Sequence, residues 1–544
     1  MLTNAAIAER LEAFSVLLEL AGAQSYTFRA YRRAADMIRE TPVPIIELVR
    51  QGRVRDLRGI GPGIERRLRE LVETGEIHEL SELERQVRPE LIGLGRLLGV
   101  SPKRAIEIGQ TLGVTTLDEL REAARAGRLT EVPGIGPKTA AKLTEALEGG
   151  TATPRRGMLL GQALALEASI AEALGGEPAG DPRRMRDVSE RFAVVCSTER
   201  PDEVLDSFEA LGQVVSIVER GERRAVGLTV DGVPVQVVAS EPRRFGTELV
   251  RATGSQAYVE ALEPLPDAPD EEGVFRALGI PWCPPELREQ PFRGEPPPLV
   301  ELSDVRGELH CHTTWSDGKA TVLEMATAAR DRGYEYLAIC DHTKAVGAVP
   351  GLDSVDVLRQ ADEVAEANTA LAPFRVLRGI ECDILPDGSL DLSDRVLEEL
   401  DWVTASVHAG QRAPRREITA RTVAALRHPS VRALSHPTGR IINHRPPNAV
   451  DLEEVIAVAL EERVALEVNG LQPRLDLRDE HVRLCVEAGL PIVCNTDAHS
   501  VRGLGNMLLA VGTARRGWAT ATDVLNTRPL DELLAWKRGP SGSK

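Results

Sequence analysis

Lysine is nearly absent from the first fifth of this chain: of 66 basic side chains only seven are lysine, and none precedes Lys103. That excludes a Schiff-base nucleophile there, because an arginine guanidinium stays protonated. Aromatic residues make up 3% of the 544 positions, too few for an extended base-stacking platform. No run of about 18 uncharged apolar residues occurs, which excludes a membrane-spanning helix. Glu9, Glu12 and Glu19 interrupt the stretch that a signal peptide would need. The seven cysteines (196, 283, 311, 340, 382, 485, 494) are odd in number and widely spaced, as expected of reduced thiols in a cytoplasmic protein. An excess of positive charge is also missing: at net -17 the chain is not a uniformly basic, polyanion-coating protein.

What is present is enough apolar material (42%) for several cores, and the length predicts three or four domains. The charge is uneven. Residues 1–150 carry 22 basic and 22 acidic side chains, residues 201–400 carry 18 and 38, and residues 401–450 are net +6. The acidity belongs to the middle and later chain, so the first 150 residues can approach a phosphate backbone.

Those residues read as helical: Leu11, Phe14, Leu17 and Leu18 recur at helix spacing, as do Leu68 with Leu71 and Leu143 with Leu147. Two glycine-rich stretches repeat between helical segments, Leu57-Arg-Gly59-Ile-Gly61-Pro-Gly63-Ile and Val132-Pro-Gly134-Ile-Gly136-Pro-Lys138-Thr. A tight glycine turn of this kind exposes backbone N–H groups at a helix N-terminus, where they bind phosphate without reading sequence. Arg66, Arg67 and Arg69 flank one copy, Lys138 and Lys142 the other. A linker is expected at 151–156, a helix over 157–178, short alternating strands at 192–195, 214–218, 226–230 and 233–238, and a Pro/Asp/Glu-rich connector over 262–300. The expected segments are 1–95, 96–152, 153–245, 246–305 and 306–544.

From Arg306 short apolar strands alternate with helices, the pattern of a parallel sheet. Seven strands are expected: Glu308–His312, Tyr336–Asp341, Arg375–Glu381, Trp402–His408, Val431–His436, Ala465–Asn469 and Ile492–Asp497. Seven strand–helix repeats in this length fit a (β/α) barrel, followed by terminal helices over 514–538. Barrel enzymes place their chemistry at the C-terminal strand ends. Nine candidate ligands fall there: His310, His312, Asp317, His342, Glu381, His408, His436, Asp497 and His499. Period two puts His310 and His312 on one face, and likewise Asp497 and His499. At three or four protein ligands per catalytic ion, nine imply two or three ions. Imidazole with carboxylate suits zinc, manganese or iron. Ions about 4 Å apart are a device for hydrolysing phosphate esters. Arg440, in His436-Pro-Thr-Gly-Arg440, is a candidate phosphate clamp.

Residues 306–540 resemble the polymerase and histidinol phosphatase (PHP) domain, a distorted (β/α)7 barrel with a trinuclear metal site. The resemblance implies that Glu381 bridges two ions. It groups His310, His312 and Asp497 at one position, Asp317, His342 and His499 at a second, and His408 with His436 at a third. The glycine turns resemble helix-hairpin-helix elements. The whole layout, with Thr27-Phe-Arg-Ala-Tyr-Arg-Arg-Ala-Ala near the start, resembles bacterial family X DNA polymerases carrying a C-terminal PHP domain. On that reading 1–95 and 96–152 are helical DNA-binding domains, 153–245 a small α+β palm, 246–305 a reduced thumb with connector, and 306–544 the phosphoesterase barrel.

The polymerase motifs of that family are degraded here. Its Gly-Ser-x-Arg-Arg triphosphate turn reads Gly180-Asp181-Pro-Arg183-Arg184. Its paired palm aspartates align with Glu190 and Phe192, the third with Pro234, and its Tyr-Phe-Thr-Gly-Ser sugar cradle reads Arg251-Ala-Thr-Gly-Ser255. Two-metal nucleotidyl transfer needs several carboxylates, so polymerase activity is expected to be lost. The family's lyase lysine aligns with Arg67, and no lyase activity is expected. The expectation is a DNA-binding phosphodiesterase using Mn2+ and/or Zn2+, with iron as a further candidate. The resemblance implies 3'-5' trimming in DNA repair, with cutting at abasic sites as a further option. Its expected partner is DNA, bound through the phosphate backbone, and its expected place the cytoplasmic nucleoid. Three rivals stay open: a working family X polymerase, a small-molecule phosphatase, and a repair scaffold with an idle metal site.

Overall fold

The computed structural model describes residues 4–20, 25–39, 41, 43–57, 59–86, 102–114, 117–148, 157–229 and 232–536. The expected linker at 151–156 and the boundary at 95/96 lie outside the described residues. Contacts divide the chain into Met1–Gly294 and Glu295–Lys544. No helix among the described residues is long and apolar enough to cross a membrane.

Every regular element described between Asn4 and Glu148 is helical. The periodic leucines account for this. Leu11, Phe14, Leu17 and Leu18 of helix Asn4–Leu20 are buried with Leu68 and Leu71 of helix Pro62–Thr74. Leu143 and Leu147 of helix Pro137–Glu148 belong to a second core.

The palm region follows. Its short strands β1 (Met158–Leu159) and β3 (Val188–Ser189) pair antiparallel. A five-stranded sheet combines β2 (Glu177–Ala179), β4 (Phe192–Ser197), β5 (Val214–Arg220), β6 (Arg224–Thr229) and β7 (Pro234–Ser240) in the order β2-β4-β7-β6-β5. The expected helix over 157–178 is shorter, Leu160–Leu174. Its ends are taken by β1 and β2, for which Gly175, left-handed at φ +63°, makes room.

The connector expected over 262–300 is more ordered than its composition suggests. Helix Glu271–Leu278 lies inside it, and Glu271 and Arg288 are buried. Asp270 caps that helix by accepting the Gly273 N–H at 2.6 Å. The expected boundary at 305/306 also shifts. Leu299 bridges to Thr520 and Val300 donates to the Ala519 carbonyl at 2.9 Å, so residues 295–305 belong to the barrel unit.

The barrel strands are β8 (Gly307–Cys311), β9 (Tyr336–Ile339), β10 (Arg375–Asp383), β11 (Trp402–Ser406), β12 (Val431–Leu434), β13 (Ala465–Asn469) and β14 (Ile492–Asn495). All pair in parallel in sequence order. Buried on both faces, they read as near-continuous apolar runs. The sheet nearly closes: Cys311 at the end of β8 bridges to Ala498 just past β14, and the His312 N–H donates to the Ala498 carbonyl at 2.9 Å. The C-terminal end has helices Met507–Arg516 and Leu530–Ala535 where terminal helices were expected over 514–538.

Candidate metal centre

The C-terminal strand ends deliver their polar side chains to one place because each lies at or just past the end of its strand. His310 is inside β8 and His312 follows it. His342 follows β9, Glu381 is near the end of β10, and His408, His436 and Asp497 lie two residues beyond β11, β12 and β14. Glu381 is the hub. Its carboxylate lies 2.8 Å from His342 Nδ1, 2.9 Å from His436 Nε2, 3.5 Å from both His310 Nε2 and His408 Nε2, and 3.8 Å from His312 Nε2. Asp497 lies 3.1 Å from His312 Nε2 and 3.7 Å from His499 Nδ1. Asp317 reaches His499 at 3.3 Å and His342 at 3.6 Å.

All nine residues singled out in the sequence therefore meet. Three groups have ligand atoms close enough to share a cation: His310, His312 and Asp497; His312, Asp317, His342 and His499; and His342, Glu381 and His408. The first matches the grouping implied by the family. The second adds His312 to it. In the third, Glu381 and His342 join His408, while His436 contacts Glu381 without joining a group.

The donor chemistry fits metal cations. His310 Nε2, His342 Nδ1 and Glu381 Oε2, which face one another across the centre, are buried and make no hydrogen bond among the described residues. Buried polar atoms are normally satisfied. Lone pairs aimed at a common centre are what divalent cations ligate. His436 and Asp497 have φ of +27° and +52°, left-handed values that cost a non-glycine residue energy and gather at functional sites.

The electrostatics agree. Burial alone would raise the Glu381 carboxyl, but the imidazoles of His408, His310 and His342 overcome it and hold it well below the ordinary range. Asp497 is likewise depressed against the effect of burial, by His310 and His312. Burial lowers His312, and its neighbours His342 and His499 push the same way. Burial would also lower His499, but Asp317 and Asp497 lift it to about 9.

A surrounding layer escaped the sequence reading. Glu467 accepts from His310 Nδ1 (2.6 Å), the His436 N–H (2.8 Å), Asn495 Nδ2 (2.9 Å) and Asn469 Nδ2 (3.0 Å). Asp383 faces His408 Nδ1 at 3.1 Å. Buried Glu308 receives the His310 and Thr496 N–H groups, and burial raises its carboxyl to about 8. The signal was available: Glu308 and Asp383 lie two residues from His310 and Glu381 on the same strand faces. Arg440, the candidate phosphate clamp, is turned towards backbone. It is buried, its Nε donates to the Arg474 carbonyl at 2.8 Å and its Nη2 to the Leu475 carbonyl.

The two glycine turns have the same local form. Gly59 and Gly134 are left-handed at φ +104° and +77°, Ile60 and Ile135 are buried, and Pro62 and Pro137 open the following helices after Gly61 and Gly136. Gly63 and Lys138 are exposed beside those helix N-termini. Arg67 is held by Glu70 (3.0 Å) and Glu79.

In the five-stranded sheet, strand parity decides which way Phe192 faces. Phe192 pairs with Val235 and packs in the core with Val194 and Val237. Ala193 pairs with Gln236, so Ala193 and Pro234 share the opposite face. Phe192 is thus a core residue and does not share the face of Pro234. Nor do the turn arginines face outward. Arg183 binds Glu271 through two 2.8 Å contacts, and Arg288 binds the same carboxylate at 2.5 Å. Arg184 binds Asp181 at 2.5 Å and Glu289 at 2.9 Å. Asp181 also accepts the Glu190 and Arg191 N–H groups.

Comparison with known proteins agrees with this layout. Residues 2–77 match a helix-hairpin-helix domain, 90–148 a SAM-like helix-hairpin-helix tandem and 308–470 the PHP domain. The chain is 38% identical over 104 residues to a probable phosphatase of Photobacterium profundum, covering 19% of this chain and 39% of that protein. It is 44% identical over 66 residues to the Holliday junction branch migration complex subunit RuvA of Acidovorax sp. (strain JS42), covering 12% and 33%. It is 32% identical over 562 aligned positions to the DNA polymerase/3'-5' exonuclease PolX of Bacillus subtilis (strain 168), covering 97% of this chain and 98% of that one. A match of that extent, joined to hairpin elements at one end and the PHP barrel at the other, means that the chain belongs to the PolX family.

Proposed function

We propose that this protein is a DNA-binding, metal-dependent phosphodiesterase that trims DNA from the 3' end and no longer polymerises. The observation that carries the reading is the meeting of five imidazoles within 4 Å of the buried Glu381 carboxylate, beside Asp317 and Asp497. Two or three Mn2+ or Zn2+ ions held there would supply an activated water and neutralise charge on phosphorus. The chain's own residues set the stage. Glu467 orients His310, Asp383 orients His408, and Asn469 holds Asp497 through a 3.0 Å hydrogen bond. The two hairpin turns would grip the phosphate backbone without reading sequence. The 3'-5' polarity is taken over from the exonuclease named for the Bacillus relative.

Loss of polymerisation is supported by the sheet: Phe192 is buried in the core, and Ala193 and Pro234 on the opposite face offer no carboxylate to a metal ion. The internal neutralisation of Arg183 and Arg184 leaves them no role in holding a triphosphate. The test compares 3'-labelled and 5'-labelled oligonucleotides with Mn2+, for the wild type and Asp497→Ala, alongside a primer-extension assay. Shortening from the 3' end that vanishes in the variant, without extension, supports the reading. Extension of the primer overturns the polymerase part, and unchanged degradation by the variant overturns the site.

The partial match to probable phosphatases favours one rival, a small-molecule phosphatase. Turnover of p-nitrophenyl phosphate exceeding that of an oligonucleotide would select it.

A further inference from the structure

We propose that Arg474 grips the substrate phosphate at the metal centre and that Arg440 is a positioning residue that fixes the loop carrying it. This rests on the phosphoesterase reading above.

Arg474 belongs to segment 470–475, which follows β13. The base of the segment is closed where the Asn469 N–H donates to the Asp476 carbonyl at 2.7 Å. The Asp476 carboxylate accepts the Thr438 N–H at 3.0 Å and its hydroxyl at 2.9 Å. The Ile442 N–H donates to the Pro473 carbonyl at 2.6 Å. Arg440 adds its two bonds to the carbonyls of Arg474 and Leu475. The loops after β12 and β13 are thereby stapled together. Leu475 is held at φ +41°, a conformation that a leucine adopts only when its surroundings impose it.

The side chain of Arg474 stands apart from this order. It is 17% exposed, and its one polar contact among the described residues is Nε at 3.6 Å from Asp497 Oδ2. That is beyond hydrogen-bond range. Arg440 gives Nε and Nη2 to backbone carbonyls, and Arg445 donates Nε to the Gly439 carbonyl at 2.9 Å. Arg474 thus keeps a nearly complete planar fork of donors, largely removed from water, beside the proposed ligands. Such a fork matches two oxygens of a phosphate. The ligand class is a phosphodiester or a phosphomonoester, the substrate and product of one hydrolysis.

The test uses the full-length, metal-loaded protein and inorganic phosphate as probe, with binding read by calorimetry. Arg474→Ala should keep the wild-type metal content by elemental analysis while its phosphate Kd rises at least about tenfold. Its kcat/KM on an oligonucleotide should fall by about 100-fold. Arg474→Lys, which keeps charge but not the fork, should fall between. Arg440→Ala should weaken phosphate binding too, and the double variant should be no worse than Arg474→Ala, as expected of two residues acting in series. Phosphate binding by Arg474→Ala within twofold of wild type overturns the proposal, as does loss of metal from that variant, which would make Arg474 a partner of Asp497 alone. A double variant that loses the product of the two single effects overturns the role of Arg440. Phosphate binding lost in Arg474→Ala from a wild type that cleaves no phosphodiester sustains the Arg474 assignment while removing the nuclease reading.

Discussion

His310 Nδ1 and Glu467 Oε1 lie 2.6 Å apart, both side chains fully buried, and this contact decides which ring nitrogen faces the metal centre. With Nδ1–H donated to the carboxylate, Nε2 is the lone-pair nitrogen and points towards Glu381 and Asp497. Partners of this kind typically contribute 10–100-fold to metal affinity. Glu467→Gln is therefore expected to weaken metal binding by about that factor at one position of the cluster. Competition against a metallochromic chelator measures it. Affinity unchanged within twofold would remove Glu467 from the site.

Asp497 follows β14 in a left-handed conformation and reaches His312, His499 and Asn469. Asp497→Ala should abolish DNA hydrolysis, by at least about 1000-fold as for removal of a residue acting directly on the reacting group, and should leave DNA affinity intact. Filter binding and product analysis on the same preparation separate the two.

Glu271 adds a pH dependence to the stability of the first unit. Burial would raise its carboxyl, but Arg183 and Arg288 bring it down to about 2. A carboxyl depressed on folding adds stability that is present above its unfolded value, near 4.5, and lost as pH falls from there towards 2. The contribution is about 3 kcal/mol. Glu271→Gln should cost about that much at pH 7 and progressively less below pH 4, because the wild type gives up the same interaction on protonation. Denaturant unfolding of the full chain at pH 3, 5 and 7 checks the sign. An equal cost at all three values would contradict it.

Lys138 and Lys142 are exposed on the second hairpin helix. Reversing both (Lys138→Glu, Lys142→Glu) should weaken DNA binding alike for any sequence. The slope of log K against log salt should become shallower by about one for each phosphate that is no longer neutralised. Fluorescence anisotropy at several salt concentrations tests this, and an unaltered slope would place the DNA-binding surface elsewhere.

Much of the barrel was legible because a parallel strand buried on both faces is a short apolar run, and most of the seven runs ended in histidine or carboxylate. The expected strands overran several of the observed ones by a residue or two, since the ligands there belong to the loops just past the last ladder hydrogen bond. Glu467, Glu308 and Asp383 were missed because a buried carboxylate that orients a ligand looks in sequence like any acidic residue in a strand. Arg474 was missed for a related reason: only the fold tells a guanidinium turned to backbone, Arg440, from one beside Asp497. The palm failed differently. Phe192 was aligned with a palm aspartate, whereas its pairing with Val235 and its packing with Val194 and Val237 place it in the core. The acidic connector hid Glu271, whose partners Arg183 and Arg288 lie 88 and 17 residues away.

The most direct measurement is the metal content of the purified full-length chain by elemental analysis, before and after chelation, with 3'-end trimming followed on the same samples. The result expected is two or three transition-metal ions per chain, with trimming lost on chelation and restored by Mn2+. Less than one ion per chain, or trimming that survives complete removal of metal, would contradict a multi-cation centre built around Glu381.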